Sequence, residues 1–152
     1  MRLLRTACLT CIALTLGLSF AHVLEIPGKL QLDGPQWLMV QQHLYVGFGT
    51  VGAAIEVAAI VLAWVLAIRL RRTAQARRTL AAALLVSVGL IEWALVVAPM
   101  NARLNGWAAA TLPATWQVTR DRWESGHAVQ AALFFVAFLL LHRWRETLSC
   151  SS

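Results

Sequence analysis

The sequence predicts an all-α fold: a transmembrane four-helix bundle made of two helical hairpins, with both termini in the cytoplasm. Three observations predict it. Hydrophobic residues make up 59% of the 152 and charged residues only 13%, a balance typical of integral membrane proteins. Four stretches, at about 6–25, 44–68, 79–99 and 122–142, are predominantly apolar, and each can cross a hydrocarbon core of about 30 Å, which takes roughly 20 helical residues. Basic residues collect at one set of helix ends: Arg2, Arg5, Arg69, Arg71, Arg72, Arg77, Arg78, Arg143 and Arg145, against Lys29, Arg103, Arg120 and Arg122 at the other. The positive-inside rule then places both termini in the cytoplasm and the chain, multi-pass, in the cell inner (cytoplasmic) membrane. Residues 1–152 read as a single integral membrane domain. No length is left for a soluble catalytic module, so any chemistry sits between helices or at their ends.

The first segment has three readings to separate. Arg2 and Arg5 before an apolar run that reaches Ser19-Phe20-Ala21 imitate a secretory signal and its cleavage site. The run is longer than a usual signal core, and His22 and Glu25 just beyond it look like part of a site, so the segment is expected to be retained. Cys8-Leu9-Thr10-Cys11 has the spacing of a redox pair, but both sulfurs fall near the cytoplasmic end, where disulfides seldom persist. Cys8, Cys11, Thr15, Ser19 and His22 are better read as one small, weakly polar stripe that packs against neighbouring helices. Cys150 is a tail residue.

The net charge of +6 does not imply nucleic acid. The arginine run at 69–78 lacks interleaved aromatics and reads as an orientation signal beside anionic headgroups, so the lipid bilayer is the expected partner. In the first outer loop, Ile26-Pro27-Gly28 is expected to end helix one, and Asp33-Gly34-Pro35-Gln36 reads as an N-cap with an early proline and a capping-box glutamine. The second long helix should therefore begin near Pro35. In the second outer loop, Pro99 is expected to close helix three, and Leu112-Pro113 to open helix four before its apolar part.

Every predicted helix offers a polar ionisable group to the outer half of the bundle. Glu56 lies roughly 15 Å below Tyr45 and Glu92 roughly 10 Å below Pro99, on a rise of about 1.5 Å per residue. Tyr45, Gly49, Gly52 and Glu56 share an arc whose glycines admit a close neighbour, so that arc should face inward. Trp116, Arg120 and His127 nearly superpose on helix four, flanked by Trp123 and Glu124, and Arg120 can pair with Glu124 one turn on. Ionisable groups inside a bilayer cost a few kcal/mol each and are paired or functional.

Glu124-x-x-His127 has the spacing that puts a carboxylate and an imidazole on one face, as in bundles that bind two metal ions. His22-x-x-Glu25 repeats the pair in reverse. With Glu56 and Glu92 added, the ligand count suits iron or manganese. Depths that spread over roughly 15 Å, and Arg120 beside the pair, argue against one metal shell, so His22, Glu25, Glu124 and His127 stay metal candidates without a committed ion. A proton path is disfavoured, because below Glu56 and Glu92 little but Ala, Leu, Val and Ile precedes the arginines. A pocket open to the outside or to the outer leaflet fits better. The alternative is a non-enzymatic membrane protein whose buried His, Glu and Arg groups hold the helices in register, with Glu56 and Glu92 hydrogen-bonded to Tyr45, Trp93 or a backbone carbonyl.

His22-Val-Leu-Glu25-Ile-Pro27-Gly-Lys29, Leu44-Tyr45-Val-Gly47-Phe-Gly49 with Glu56, Ala98-Pro99-Met-Asn101, and Arg120-Asp-Arg122-Trp123-Glu124-Ser-Gly126-His127 resemble the bacterial membrane proteins grouped with fungal anthrone oxygenases. The resemblance runs from about residue 20 to 142 and is most specific at Asn101 and at Trp123 to His127. It implies a four-helix membrane protein and, in the fungal branch, oxidation of a tricyclic anthrone to an anthraquinone by dioxygen. Most bacterial relatives have no known activity. One turn past the histidine, where the family pattern leads one to expect a second arginine, stands Gln130.

For such a reaction His127 is the candidate base, because imidazole exchanges protons near neutral pH. Glu124 would orient it and Arg120 would stabilise a phenolate or peroxide anion. Trp107, Trp116 and Trp123 would bracket a flat aromatic molecule, the expected small-molecule partner, and Asn101 would hydrogen-bond its oxygen. His22, Glu25, Tyr45 and Glu56 would complete an outward-facing polar pocket. At least half of the tryptophans fit the interfacial enrichment expected of any membrane protein.

Overall fold

The computed structural model describes residues 1–143; Arg145 and Cys150 lie outside the described residues. The chain runs as α1 (Arg2–Lys29), α2 (Gly34–Leu44), a π-helical turn (Phe48–Gly52), α3 (Ala53–Leu70), α4 (Ala76–Glu92), a second π-helical turn (Trp93–Val97), α5 (Ala98–Asn105), a short 3-10 turn (Ala109–Thr111) and α6 (Trp116–His142). Four continuous helical runs are long and apolar enough to cross a membrane: Arg2–Lys29, Phe48–Leu70, Ala76–Asn105 and Trp116–His142. The protein is thus an all-α, multi-pass membrane protein.

Two expected helix ends are corrected. Pro27 lies inside α1, which continues to Lys29. A proline removes one backbone bond to the preceding turn, and here the run goes on, so Glu25 and Lys29 share a face. Pro99 likewise does not close the third span. It sits in the first turn of α5, where its missing N–H is least costly, directly after the wide turn Trp93–Val97. A π turn relaxes the backbone upstream of a proline ring that would otherwise press on it.

The Asp33 cap forms as read: its carboxylate accepts from Gln36 N at 2.9 Å, and Gln36 Oε1 accepts from Asp33 N at 3.2 Å. The helix it opens is not continuous with the second span, because α2 stops at Leu44 and Tyr45 takes φ −101° and ψ 14°. The following stretch carries Gly47, Gly49 and Gly52, a composition that holds a regular helix weakly.

The spans form a closed ring, in which α1 packs along α3 and α6, and α4 along α3 and α6. At one end the Arg5 guanidinium donates to the Leu141 and His142 carbonyls, both at 3.1 Å, and Arg78 donates to the Arg143 carbonyl at 3.3 Å. These cations cover the C-terminal end of α6, where backbone carbonyls lack partners. Above this arginine-rich end lies a core of Cys8, Ile12, Ala63, Leu66, Val86 and Phe134, with alanines that let the backbones approach. The opposite end has a second cluster, Trp37, Leu38, Val97, Met100, Leu104 and Trp123, roofed by α2. A Cβ added at Gly34 would run into Leu112 and Trp116, so the start of α2 is pressed onto the segment before α6. Exposed Leu14, Val61, Ile68, Leu84, Ile91 and Leu95 face outward around the ring, as lipid contact requires.

Candidate functional site

Of the weakly polar stripe of α1, Cys8, Thr15, Ser19 and His22 are buried and point inward, whereas Cys11 is only half-buried and Ile12 takes the inward position beside it. The stripe meets the buried face of α6, on which Trp123, His127 and Gln130 follow one another at helical spacing. Glu56 enters from α3, and Asn101 from α5. Ser19, His22, Glu56, Asn101, Trp123, His127 and Gln130 line a cavity of about 540 Å³.

The floor of the cavity is a hydrogen-bonded chain across three helices. Gln130, 2% exposed, donates from Nε2 to Glu56 Oε1 at 3.0 Å and accepts at Oε1 from Ser19 Oγ at 3.1 Å. Both ends of the amide are used, so each buried group has a partner. Glu56 therefore bonds to Gln130 and not to Tyr45.

Aromatic rings make the wall. The His22 ring lies 4.4 Å from the His127 ring, 4.7 Å from Trp123 and 4.6 Å from Tyr45, centroid to centroid. Trp123 is fixed by its Nε1 donating to Asn101 Oδ1 at 2.7 Å. His127 is 8% exposed and lines the cavity, and its Nδ1 has no hydrogen-bond partner. An unpartnered buried nitrogen is costly unless something else engages it.

Behind Trp123 lies an ionic cluster centred on Lys29, which is 4% exposed. Its Nζ stands 3.1 Å from Glu25 Oε2 and 3.3 Å from Glu124 Oε1, and 4.8 and 4.6 Å from the centroids of Tyr45 and Trp123. The Tyr45 hydroxyl donates to Glu25 Oε2 at 2.6 Å, and His22 Nδ1 lies 3.4 Å from the same oxygen. Tyr45 belongs to the bend between α2 and the second span; burial first, and then its bond to Glu25, push the phenol above its usual range, so it remains a donor.

His22, Tyr45, Glu56, Asn101, Trp123 and His127 all line the cavity. Glu25, Trp107, Arg120 and Glu124 are not among its lining residues. Glu124 faces Lys29 and does not orient His127, whose ring neighbours are His22 and Trp123. Arg120 does not pair with Glu124: it donates to Asp121 at 2.9 Å and lies over the Trp116 ring at 5.1 Å. The Asp121 carboxylate is largely exposed, whereas the Arg120 side chain is itself mostly buried against Trp116. Trp107 packs at the roof, where its carbonyl and that of Leu104 accept from Gln42 Nε2. Glu92 is turned toward Gly126, and its Oε2 is buried without a hydrogen-bond partner.

Among the described residues, no three or more His, Cys, Asp and Glu side chains come together as a metal-ligand group. Glu25 and Glu124 are each paired with the Lys29 ammonium, and His22 lies 3.4 Å from Glu25. Of the arc on the second span, Gly52 and Glu56 face inward, and a Cβ at Gly52 would meet Leu18. Gly49 is exposed at the cavity edge, with open space beyond its Cα.

Two residues of this site escaped the sequence reading. Glu25-x-x-x-Lys29 has the spacing of an i, i+4 ion pair, a signal that Pro27 masks by resembling a helix end. Gln130 continues the Trp123 and His127 face by three residues, and that register, with its standing where the family pattern leads one to expect an arginine, is its signal. No family model, curated protein or solved structure matches this chain.

Proposed function

We propose that this multi-pass membrane protein binds a flat, lipid-soluble aromatic or phenolic molecule in the cavity and oxidises it with dioxygen, as the anthrone oxygenases that its sequence resembles do. The observation that carries the reading is His127: buried, facing the cavity, with Nδ1 unpartnered and the rings of His22 and Trp123 against it. A cavity of about 540 Å³ falls in the range of small-molecule sites, roughly 300–1,000 Å³.

The chemistry balances with dioxygen as the only co-reactant. His127 takes the acidic proton from the ring carbon, and the carbanion adds to dioxygen to form a carbon–oxygen bond. The peroxide then takes up the proton and loses water by cleavage of its oxygen–oxygen bond and removal of the second hydrogen from the same carbon. One anthrone and one dioxygen become one anthraquinone and one water. Trp93 and Trp123 flank the ring, and the Glu56–Gln130 pair offers hydrogen bonds to its oxygens. Glu124 acts at one remove, holding Lys29 against Trp123.

The arginine bias supports both termini being cytoplasmic, so that the cavity end faces outward. A reporter enzyme fused after residue 143 that works only on the cytoplasmic side should be active.

The test of activity is oxygen uptake by detergent-purified protein with anthrone, alongside its content of iron, manganese, copper and zinc. Uptake should exceed the buffer rate and fall by about 100-fold or more in His127→Ala, the usual effect of a lost general base. Uptake no faster than buffer sinks the oxygenase reading. A second reading, in which the buried polar groups only hold the helices in register, is favoured by the closed Ser19–Gln130–Glu56 chain. It predicts equal losses of melting temperature in His127→Ala and Glu124→Ala and no uptake by either or by the wild type.

A further inference from the structure

Near the arginine-rich end α3 packs along α4, but nearer the roof the same two spans turn to different neighbours. The π turn Phe48–Gly52 leans on α1, whereas Trp93–Val97 leans on α6 and α5. The cavity lies at this level. Val46, Thr50, Ala53 and Val57, at spacings of four, three and four, form one stripe, and each is exposed on the outside of the molecule while lining the cavity. Half-buried Leu90 and Trp93 line it from the facing span. The cavity thus has apolar lips in the wall of the bundle, running from just past the end of α2 down to Val57, while Gln41, Gln42 and Asn105 line it at the roof.

We propose that the cavity is loaded sideways from the bilayer, through the gap between the Val46–Val57 stripe and Leu90–Trp93, by an amphipathic lipid-soluble molecule whose hydrogen-bonding group leads. The inference rests on the cavity being a ligand site and adds its route and ligand class. A stripe of Val, Thr and Ala at membrane depth offers a planar apolar molecule no desolvation barrier, since its surroundings there are as apolar as lipid. The polar groups lie deeper: Gln130 bonded to Glu56 on the floor, with Glu56 on the inner face of the lip's own helix, and His127 with its unpartnered Nδ1. A phenol or ring ketone that enters ring-flat between the lips would meet them with its oxygen. That encounter gives His127 Nδ1 the hydrogen-bond partner that it lacks among the protein's own groups.

The two π turns explain why the gap exists at that height. Each widens its helix by one residue per turn and swings the backbone beyond it, and together they separate a pair of spans that are in contact below.

The route is tested by kinetics with the full chain in lipid nanodiscs, using anthraquinone as the probe and quenching of tryptophan fluorescence as the signal. Saturable quenching is expected for the wild type, because Trp93 and Trp123 line the cavity. Ala53→Trp and Val57→Trp, at the lips, should slow association by about tenfold, and clearly more than Asn105→Trp, a position that lines the cavity at its roof end, since blocking an entry path acts on the on-rate. Melting temperatures check that all three variants fold. Slowing by Asn105→Trp alone, or equal rates in all three, overturns the lateral route. Absence of saturable quenching in the wild type overturns the ligand site itself. Saturable, portal-dependent quenching without oxygen uptake would leave this inference standing and remove only the oxidation.

Discussion

The two halves of the bundle are built by opposite rules. Near the arginine-rich end, Cys8, Ile12, Ala59, Ala63, Leu66, Ala82, Val86 and Ala137 make an apolar core on regular helices, and arginines close the helix end over it. Toward the other end the same four spans carry two π turns, a proline in each of two helices and many buried or half-buried polar side chains, among them Ser19, His22, Lys29, Glu56, Asn101, Glu124, His127 and Gln130. Small residues on straight helices close a bundle, whereas widened turns and ring-sized side chains hold it open. The cavity exists because the second half gives up close packing between the two π turns, while it stays tightly packed at Gly34, Gly52 and Gly126, and its polar groups bind one another across helices.

If that contrast is right, substitutions in the two halves should fail differently. The largest effect is expected from Lys29→Met, which strands Glu124 beside a neutral side chain; loss of one partner of a buried pair costs about 3 kcal/mol. Unfolding in detergent should show it, and the double variant Lys29→Met with Glu124→Leu should recover most of the loss. A full loss in the double variant would mean that Lys29 acts through its contacts with Tyr45 and Trp123.

Gln130→Leu comes next, because it leaves the Glu56 carboxyl and the Ser19 hydroxyl without their partner; an unsatisfied buried polar group costs about 2 kcal/mol. Ser19→Ala should cost less, since Gln130 keeps its bond to Glu56. The same unfolding measurement compares them, and equal effects would deny the amide its bridging role.

The smallest effects separate the halves most directly. A Cβ at Gly89 would stand 2.9 Å from the fully buried Phe134 ring, so Gly89→Ala should destabilise by about 1 kcal/mol through overpacking. At Gly49 a Cβ would meet nothing within 4 Å, and Gly49→Ala should be neutral or stabilise by about 0.5 kcal/mol, the ordinary gain of alanine over glycine in a helix. Opposite signs in thermal unfolding are the expected outcome. Matching losses at both positions would mean that the cavity half is packed as tightly as the other.

Much of this was legible along the chain. Length and apolarity of the four segments, the Asp33 cap and the inward stripe of α1 all follow from local composition and spacing. The prolines misled, because Pro27 and Pro99 are tolerated within helices whose neighbours or wide turns absorb the lost bond. The candidate site was legible as a set of residue types and not as a set of partners. Glu124 and His127 share a face by spacing, yet a lysine from another helix takes the carboxylate and a histidine from that same helix meets the imidazole.

That division has one physical cause. Segment length, hydropathy and the residues on each helical face depend only on the covalent order and on the helical rise and repeat, so sequence alone is enough to specify four membrane-crossing helices with polar inner faces. Which carboxylate meets which cation, where Gln130 finds two partners, and whether neighbouring spans touch or diverge depend on the azimuth and separation of helices far apart in the chain. Those are set by ring and methyl packing between Trp123, His22, Phe134 and Gly89, and no spacing along a single helix encodes them.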